Sequence, residues 1–194
     1  MGEIITGQAT GETQADCSSK SARFVKLTRA TLTRAEEPAR QQEAKMKTEY
    51  LTEAITIIGL ELRTNNEEAF QTIPAHWQRF GTEAILDQIP NKLSSNVYAI
   101  YTHYEHEGLN NAGTYSLVIG AAATHLETVP AGLTRIQLPA SSYQIFPVEQ
   151  GRPDLVGQAW QSIWQQDTSS RTFIADGERY RSDGTIDILI GVKS

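Results

Sequence analysis

One order of predicted strands and helices occurs twice along this chain, and no other feature of the sequence restricts the fold as much. In the first half, residues 53–63 are rich in β-branched side chains, and apolar residues recur at helical spacing over 69–81. Two further strand patterns follow, over 96–106 and 114–124. The second half repeats the order, with strand patterns over 132–139 and 142–148, a helix over 154–166, and strands over 171–180 and 185–192. Each half therefore reads as a strand–helix–strand–strand unit.

The repeat predicts the architecture of the domain. Units of roughly 70 residues are too long to be the repeats of a solenoid. We predict an α+β fold in which two pseudo-symmetric halves share one antiparallel curved sheet, with helices on one face and a ligand groove on the other. Ligand sites commonly lie at such junctions, so we expect the groove along the pseudo-two-fold axis. Pro74 falls inside the first predicted helix and should kink it or divide it.

Residues 1–45 differ in composition from the rest of the chain. They contain one aromatic residue, Phe24, among many Gly, Thr, Ser, Ala and Gln residues, which is a poor basis for a hydrophobic core. We predict a disordered or weakly helical extension over 1–45 and a folded domain over 46–194. The formal charge is +1 for the extension and −7 for the domain, in a total of −6. An acidic domain favours neutral or cationic partners.

The sequence carries no signal for export or for membrane insertion. Its first residues lack the basic start and apolar centre of a signal peptide, and no apolar run approaches the roughly 18 residues of a membrane span. Cys17 is the single cysteine, which excludes an internal disulfide and a cysteine-cluster metal site. The four histidines have no metal-ligand spacing. We therefore expect a cytoplasmic protein with no metal and no cofactor.

Two segments resemble a known family. In NVYAIYTHYEHEGLNNAGTYSLVIGAAA, residues 96–123, an aromatic strand is followed by an acidic, glycine-containing turn and a second strand with tyrosine and glycine. The C-terminal segment GERYRSDGTIDILIGVKS, residues 177–194, ends in an Ile-rich strand that contains an acid. Together they resemble the GyrI-like effector-binding family, related to the sensor halves of AraC-type and MerR-type multidrug regulators. The resemblance implies a small cytoplasmic module that captures an organic ligand in a cleft.

The segment before the predicted domain departs from the family pattern. Gene regulators of this family usually carry a helix-turn-helix ahead of the effector-binding domain, and residues 1–45 cannot form one with a core of its own. We therefore expect no direct DNA binding, and a monomer or a homodimer.

The last predicted strand, TIDILIG, carries the acid that the resemblance marks as functional. Side chains alternate between the two faces of a strand, so Ile186, Ile188 and Ile190 should pack under the helices. Asp187 and Leu189 then point to the other face, which we predict to line the groove. A buried carboxylate requires a cation or strong donors. From local sequence alone, the alternative is that Asp187 faces solvent or pairs with Arg179 or Arg181; the resemblance favours a ligand anchor.

Aromatic side chains are the predicted walls of the groove. On the strand over 96–106, the face of Ile100 is the more apolar and should meet the helices, which leaves Tyr101 on the groove face with Asp187. Trp77 and Phe80 are predicted to be core residues. The candidate ligand-binding residues are Asp187, Tyr101, Trp160, Trp164, Tyr98, Phe173 and Leu189.

These patterns predict a non-enzymatic sensor or binder of an organic cation or hydrophobic amphiphile. Cation–π contacts with aromatic walls contribute about 0.5–2 kcal/mol each. Two alternatives stay open. One is an inhibitor that binds a protein, as family members that bind DNA gyrase do. The other is a cleft hydrolase of reactive drug-like molecules, in which Asp187 with Tyr101 or a tryptophan would carry out acid–base chemistry.

Overall fold

The computed structural model describes residues 47–124 and 128–193. Within these ranges, eight strands form one antiparallel sheet in the order β1-β6-β8-β7-β3-β4-β2-β5. In chain order the elements are β1 (Lys47–Tyr50), β2 (Ile55–Asn65), α1 (Ala69–Thr82), α2 (Ile85–Gln88), β3 (Val97–Thr102), β4 (Thr114–Ala122), β5 (Thr134–Leu138), β6 (Ser142–Val148), a 3-10 turn (Pro153–Leu155), α3 (Val156–Trp164), β7 (Arg171–Tyr180) and β8 (Ile186–Val192). The predicted extension over 1–45 lies outside the described residues.

The sheet has a pseudo-two-fold arrangement. Strands β3 and β7 pair at its centre, β4 and β8 flank them, and β2 and β6 come next on either side. Each half therefore runs strand, helix, strand, strand, and the predicted fold class, an antiparallel curved sheet shared by two such halves, is confirmed. Helix α1 spans Ala69–Thr82 and is not divided at Pro74.

The connection between β5 and β6 forces the sheet to curl. The two strands lie near opposite ends of the sheet, yet residues 139–141 alone join them. The hydroxyl of Tyr143 donates a hydrogen bond to the carbonyl of Pro139 across this connection, at 3.0 Å. Gly59 and Gly120 face each other on β2 and β4, and a Cβ on Gly59 would lie 2.2 Å from the carbonyl oxygen of Ile119. Paired glycines permit the close approach that a strongly curled sheet needs.

The curl closes one face of the sheet over its own side chains. None of the helices in the described ranges covers this concave face, which is filled by a hydrophobic cluster from strands at both ends of the sheet and between them. The cluster consists of Ile57, Tyr98, Ile100, Val118, Ala122, Ile136, Leu138, Tyr143, Ile145, Ala175 and Leu189. The concave face is therefore core.

The helices cover the opposite face. Ile186, Ile188 and Ile190 pack there with Val156, Trp160 and Ile163 of α3, as the alternation of β8 predicted. Phe80 of α1 and Ile85 of α2 pack over β2, β3 and β4, which confirms Phe80 as a core residue. Trp77 is only partly buried against the same cluster.

The prediction for the two faces of β3 was wrong. Ala99 and Tyr101 point to the helices, whereas Tyr98 and Ile100 belong to the concave core. Both faces of this central strand are buried, so its greater apolar content on one side does not indicate which side the helices cover.

Among the described residues, no helix has both the length and the apolar composition to cross a membrane.

Candidate functional site

A cavity of about 740 Å³ opens between α1 and α3, over the helix-covered face of the sheet. Its size is within the usual range for small-molecule sites. One wall is α1, with Ala69, Phe70, Ile73, Pro74 and Trp77. The opposite wall is α3, with Val156, Gly157, Trp160, Gln161 and Trp164. The sheet contributes the floor, with Tyr101, Tyr115, Arg171, Glu178 and Tyr180.

The position of this cavity corrects the predicted groove. We expected the groove on the face opposite the helices, but the cavity lies on the helix-covered face, between the helices of the two halves. The physical reason is the curl of the sheet, which fills the helix-free face with packed side chains. The cavity does lie at the junction of the two pseudo-symmetric halves, because it draws residues from both.

Glu178 is the acidic group of the cavity floor. It lies on β7 at the centre of the sheet and is 2% exposed. Its Oε1 accepts hydrogen bonds from the Tyr101 hydroxyl at 3.0 Å and from Nε1 of Trp160 at 2.6 Å. Its Oε2 accepts one from the Tyr180 hydroxyl at 2.6 Å. All three donors are neutral, and no ion pair joins Glu178 to a basic side chain in the described part of the chain.

The electrostatic state of Glu178 follows from this setting. Burial raises the pKa of its carboxyl above the ordinary value, and the three hydrogen bonds oppose that rise. Burial and the neighbouring carboxylate raise the pKa values of Tyr101 and Tyr180 as well. The two phenols therefore remain protonated and keep donating at neutral pH. The floor is a buried carboxyl group whose three hydrogen-bond donors are all neutral.

Aromatic rings surround the carboxylate. The rings of Tyr101 and Trp160 meet edge to face with centroids 5.3 Å apart, and those of Trp77 and Tyr180 do so at 5.2 Å. The ring centroids of Trp164 and Trp160 are 6.1 Å apart, and Trp164 is 53% exposed at the rim of the cavity. A cavity of this kind offers a cation both ring faces and a carboxyl group that a bound cation would hold in its ionised form.

Arg171 also lines the cavity and has its own acidic partner. Its Nη2 donates to Oδ2 of Asp176 at 2.5 Å, and both side chains are buried. The Tyr104 hydroxyl donates to the same oxygen at 3.2 Å, and the backbone N–H of Gly191 donates to Oδ1 at 2.9 Å. The Arg171 guanidinium lies 4.7 Å from the ring centroid of Phe173. Asp176 thus compensates the charge of Arg171, and no basic side chain in residues 47–124 and 128–193 pairs with Glu178.

The structure brings three of the predicted site residues together. Tyr101, Trp160 and Trp164 all line the cavity. Tyr98 and Leu189 lie instead in the concave core. The other predicted wall, Phe173, is buried beside Arg171 and is not part of the lining.

Asp187 lies on the concave face, away from the cavity. Its Oδ2 is 2.9 Å from Nη2 of Arg179 and 2.6 Å from Nη2 of Arg181. Arg179 also pairs with Glu49 of β1 at 3.0 Å. The prediction that Asp187 and Tyr101 share a groove-facing surface was wrong, since the two point to opposite faces of the sheet. The alternative, pairing with arginines, is what the structure shows.

Sequence reasoning missed Glu178, and it assigned Trp77 to the core. A signal was present in β7, where Asp176, Glu178 and Tyr180 occupy alternate positions and therefore share one face of the strand. Two carboxylates on one buried face each need a partner or a ligand. The register that places Ala99 opposite Glu178 shows that this face is the one the helices cover.

Among the described residues, no group of three His, Cys, Asp or Glu side chains has the arrangement of a metal site.

Solved structures share this fold. An integron cassette protein from the mobile metagenome of Vibrio cholerae aligns with a TM-score of 0.61 over 76% of this chain and 95% of its own, at 20% identity. SAV2435, solved in complex with tetraphenylphosphonium, aligns with a TM-score of 0.64 over 77% of this chain and 94% of its own, at 19% identity.

Sequence comparisons agree with the fold. YobU of Bacillus subtilis (strain 168), a candidate transcriptional regulator by name, is 31% identical over 142 residues, which are 66% of this chain and 82% of YobU. The family model for integron-associated effector binding proteins, Cass2, matches residues 51–192. This match takes in every described strand except β1 and all the helices that line the cavity. The chain therefore belongs to the family of integron-associated effector binding proteins.

Proposed function

We propose that this protein binds hydrophobic organic cations in the cavity between α1 and α3, with Glu178 as the anionic anchor. One observation carries the proposal: a buried carboxylate, with no basic partner among the described residues, lies at the floor of an aromatic-walled cavity. We propose a binding function rather than catalysis, in a cytoplasmic sensor of GyrI-like type that acts in gene regulation or multidrug sensing without contacting DNA itself.

The energetics favour a cation over other ligands. A carboxylate taken out of water loses its hydration free energy, and hydrogen bonds from neutral donors compensate part of that loss. A cation that displaces water from the cavity compensates the remaining loss through direct Coulomb attraction at low dielectric. A delocalised cation with apolar substituents also loses little hydration of its own and packs against the rings of Trp77, Trp160 and Tyr101. A small inorganic cation gains none of this apolar contact.

Two comparisons support this choice of ligand and role. Tetraphenylphosphonium, bound by the structural neighbour SAV2435, carries its charge inside four phenyl groups. It combines the charge and the apolar surface that this cavity offers. The name of the sequence relative YobU supports a regulatory role.

The hydrolase alternative assigned acid–base chemistry to Asp187 with Tyr101 or a tryptophan. Asp187 and Tyr101 lie on opposite faces of the sheet, so this pair does not support the alternative, and hydrolysis itself stays a prediction. The gyrase-inhibitor alternative stays a prediction.

The test is titration of tetraphenylphosphonium into the wild-type protein and the Glu178→Gln variant by calorimetry. Glutamine keeps the shape and accepts hydrogen bonds but removes the charge. We expect saturable binding to the wild type and at least a tenfold loss in Glu178→Gln, because a charged contact contributes about 1.5–3 kcal/mol.

Glu61→Gln is the matched control, since Glu61 is an exposed acid of β2 outside the cavity. It should bind as the wild type does. Equal affinity of Glu178→Gln and wild type, with both variants folded by circular dichroism, would rule out the anchor.

A further inference from the structure

Arg171 has hydrogen-bonding capacity that the described residues do not use. A guanidinium carries five N–H donors. Nη2 donates to Asp176, and neither Nη1 nor the enclosed Nε has a hydrogen-bond partner in the described part of the chain, which leaves Nη1 as the donor that a ligand could use. The side chain is 6% exposed and belongs to the cavity lining. Unused donors on a buried guanidinium are costly unless something accepts them.

Arg179 provides an internal comparison. Its Nε also lacks a partner, but its two terminal nitrogens bind Glu49 and Asp187, and it lies on the concave face away from the cavity. Nε of Arg171 is as enclosed as Nε of Arg179, so the difference lies in the terminal nitrogens: both of those in Arg179 bind carboxylates, whereas only Nη2 of Arg171 does. The guanidinium of Arg171 instead lines a space large enough for a ligand.

The two charged side chains of the cavity lining, Arg171 and Glu178, lie apart along the sheet. Glu178 pairs with Ile188 on β8, and Arg171 pairs with Val192 at the far end of the same strand. Ile188 and Val192 are four residues apart, which is about 13 Å along a strand. Side chains of directly opposed residues on neighbouring strands point to the same face. Ile188 and Val192 pack on the helix-covered face, so Glu178 and Arg171 point to that face as well. Glu178 can only accept when ionised, and Arg171 can only donate.

We propose that the cavity is bipolar, and that its preferred ligand is an organic cation that also carries a hydrogen-bond acceptor, such as a carbonyl or ether oxygen, which binds Arg171. The proposal rests on the cation site at Glu178 and adds a second recognition element to it. Asp176 neutralises the charge of Arg171, so an uncharged acceptor is sufficient, and the cationic end is not repelled. The positive group lies over Glu178, and the chain of the ligand follows the floor toward Arg171.

The test uses two series of alkyltriphenylphosphonium ions with increasing chain length. In one series the chain ends in a methyl ketone. In the other it ends in the isosteric methyl-substituted alkene, which lacks the acceptor. Affinities are measured by calorimetry for the wild type, Glu178→Gln and Arg171→Lys. Lysine retains a cation beside Asp176 but loses the planar fork of donors.

At one chain length we expect the ketone to bind the wild type about tenfold more tightly than the alkene, as one hydrogen bond to a charged donor predicts. Arg171→Lys should reduce this preference to about twofold or less and leave alkene affinity unchanged. Glu178→Gln should weaken both series equally, because it acts on the shared cationic end.

Each remaining outcome decides a separate claim. Equal affinity of ketone and alkene at every chain length in the wild type would overturn the bipolar site and leave the cation site standing. A ketone preference that persists both in Arg171→Lys and in Arg171→Met/Asp176→Asn, which has no cationic donor at this position, would place acceptor recognition elsewhere and also overturn the proposal. Absence of binding by both series would overturn the cation site itself. If Arg171→Lys does not fold, the double variant Arg171→Met/Asp176→Asn removes the buried pair as a unit and takes its place.

Discussion

Nε1 of Trp160 lies 2.6 Å from Oε1 of Glu178, and this hydrogen bond joins helix α3 to the centre of the sheet. The contact ties the wall of the cavity to its anionic floor. It also means that one residue contributes both to the fold and to the charge state of the site.

Trp160→Phe should destabilise the protein. Phenylalanine retains most of the apolar contact but removes one of three donors from a buried carboxylate, which costs about 1–3 kcal/mol. Urea denaturation at neutral pH measures the loss in unfolding free energy. Trp164→Phe is the control, because Trp164 is largely exposed and lies on the same helix one turn later. Equal losses in the two variants would show that the Glu178 hydrogen bond contributes nothing.

Cation binding should depend on pH through Glu178. The pKa of Glu178 is raised in the free protein, and a bound cation favours the ionised form, so binding lowers that pKa. The protein therefore releases a proton on binding when the pH lies between the bound and free pKa values. Affinity should rise with pH up to the free pKa, by at most about tenfold per pH unit, and then level off.

Calorimetry of tetraphenylphosphonium in two buffers of different ionisation enthalpy measures the proton release. In Glu178→Gln the dependence on buffer and pH should disappear. A pH dependence of equal size in that variant would assign the proton to another group.

The same raised pKa also affects stability in the absence of ligand. Because the folded pKa of Glu178 lies above the unfolded value of about 4.3, the folded state binds protons more tightly. Its contribution to stability is present in full below the unfolded pKa and is lost as pH rises through the folded pKa. Urea denaturation measures the unfolding free energies of wild type and Glu178→Gln at pH values between the unfolded and folded pKa. As pH rises through this range, the wild type should lose stability relative to the variant.

Asp187→Asn should affect the fold and not the site. The substitution leaves Arg179 with Glu49 and leaves Arg181 without its partner on the concave face. Removing one member of a buried pair costs about 3–5 kcal/mol, and the partial exposure of Arg181 reduces the expected loss to about 2–3 kcal/mol. The affinity for tetraphenylphosphonium should be unchanged under conditions where the variant is folded. A tenfold loss of affinity would return Asp187 to the ligand site.

Gly59→Ala should disrupt the curl of the sheet. A methyl group at Gly59 would lie 2.2 Å from the backbone oxygen of Ile119, which cannot move without separating β2 from β4. We expect a loss of at least about 1–3 kcal/mol in unfolding free energy. Gly81→Ala in α1 is the opposite case, because nothing lies within 4 Å of the added carbon. It should raise stability by about 0.5–1 kcal/mol, and a similar loss in both variants would contradict the role given to the glycine pair.

Several features of the site were predictable from the chain because they depend on local spacing. The alternation of Ile186, Ile188 and Ile190 placed one face of β8 under the helices, and the structure confirms it. Tyr101, Trp160 and Trp164 were predicted as walls and line the cavity. The fold class followed from the repeated order of elements.

The acidic residue of the site was not predictable in the same way. Asp187 and Glu178 are both acids on neighbouring central strands, and alternation places them on opposite faces. A strand pattern shows which residues share a face, but it does not show which face holds a cavity when both are buried. Local sequence therefore could not decide whether Asp187 or Glu178 is the acid of the cavity.

The sequence by itself thus determined the order of the elements, the pseudo-symmetric halves and the sets of side chains that share each face. The tertiary structure decided what each face became. The three-residue connection between β5 and β6 brings opposite ends of the sheet together, so the concave face fills with its own side chains and Asp187 pairs with arginines there. The remaining space lies between α1 and α3, where Glu178 is buried without a cation. The physical reason is that burial and pairing of a carboxylate depend on how distant segments pack, and no local pattern of residues contains that information.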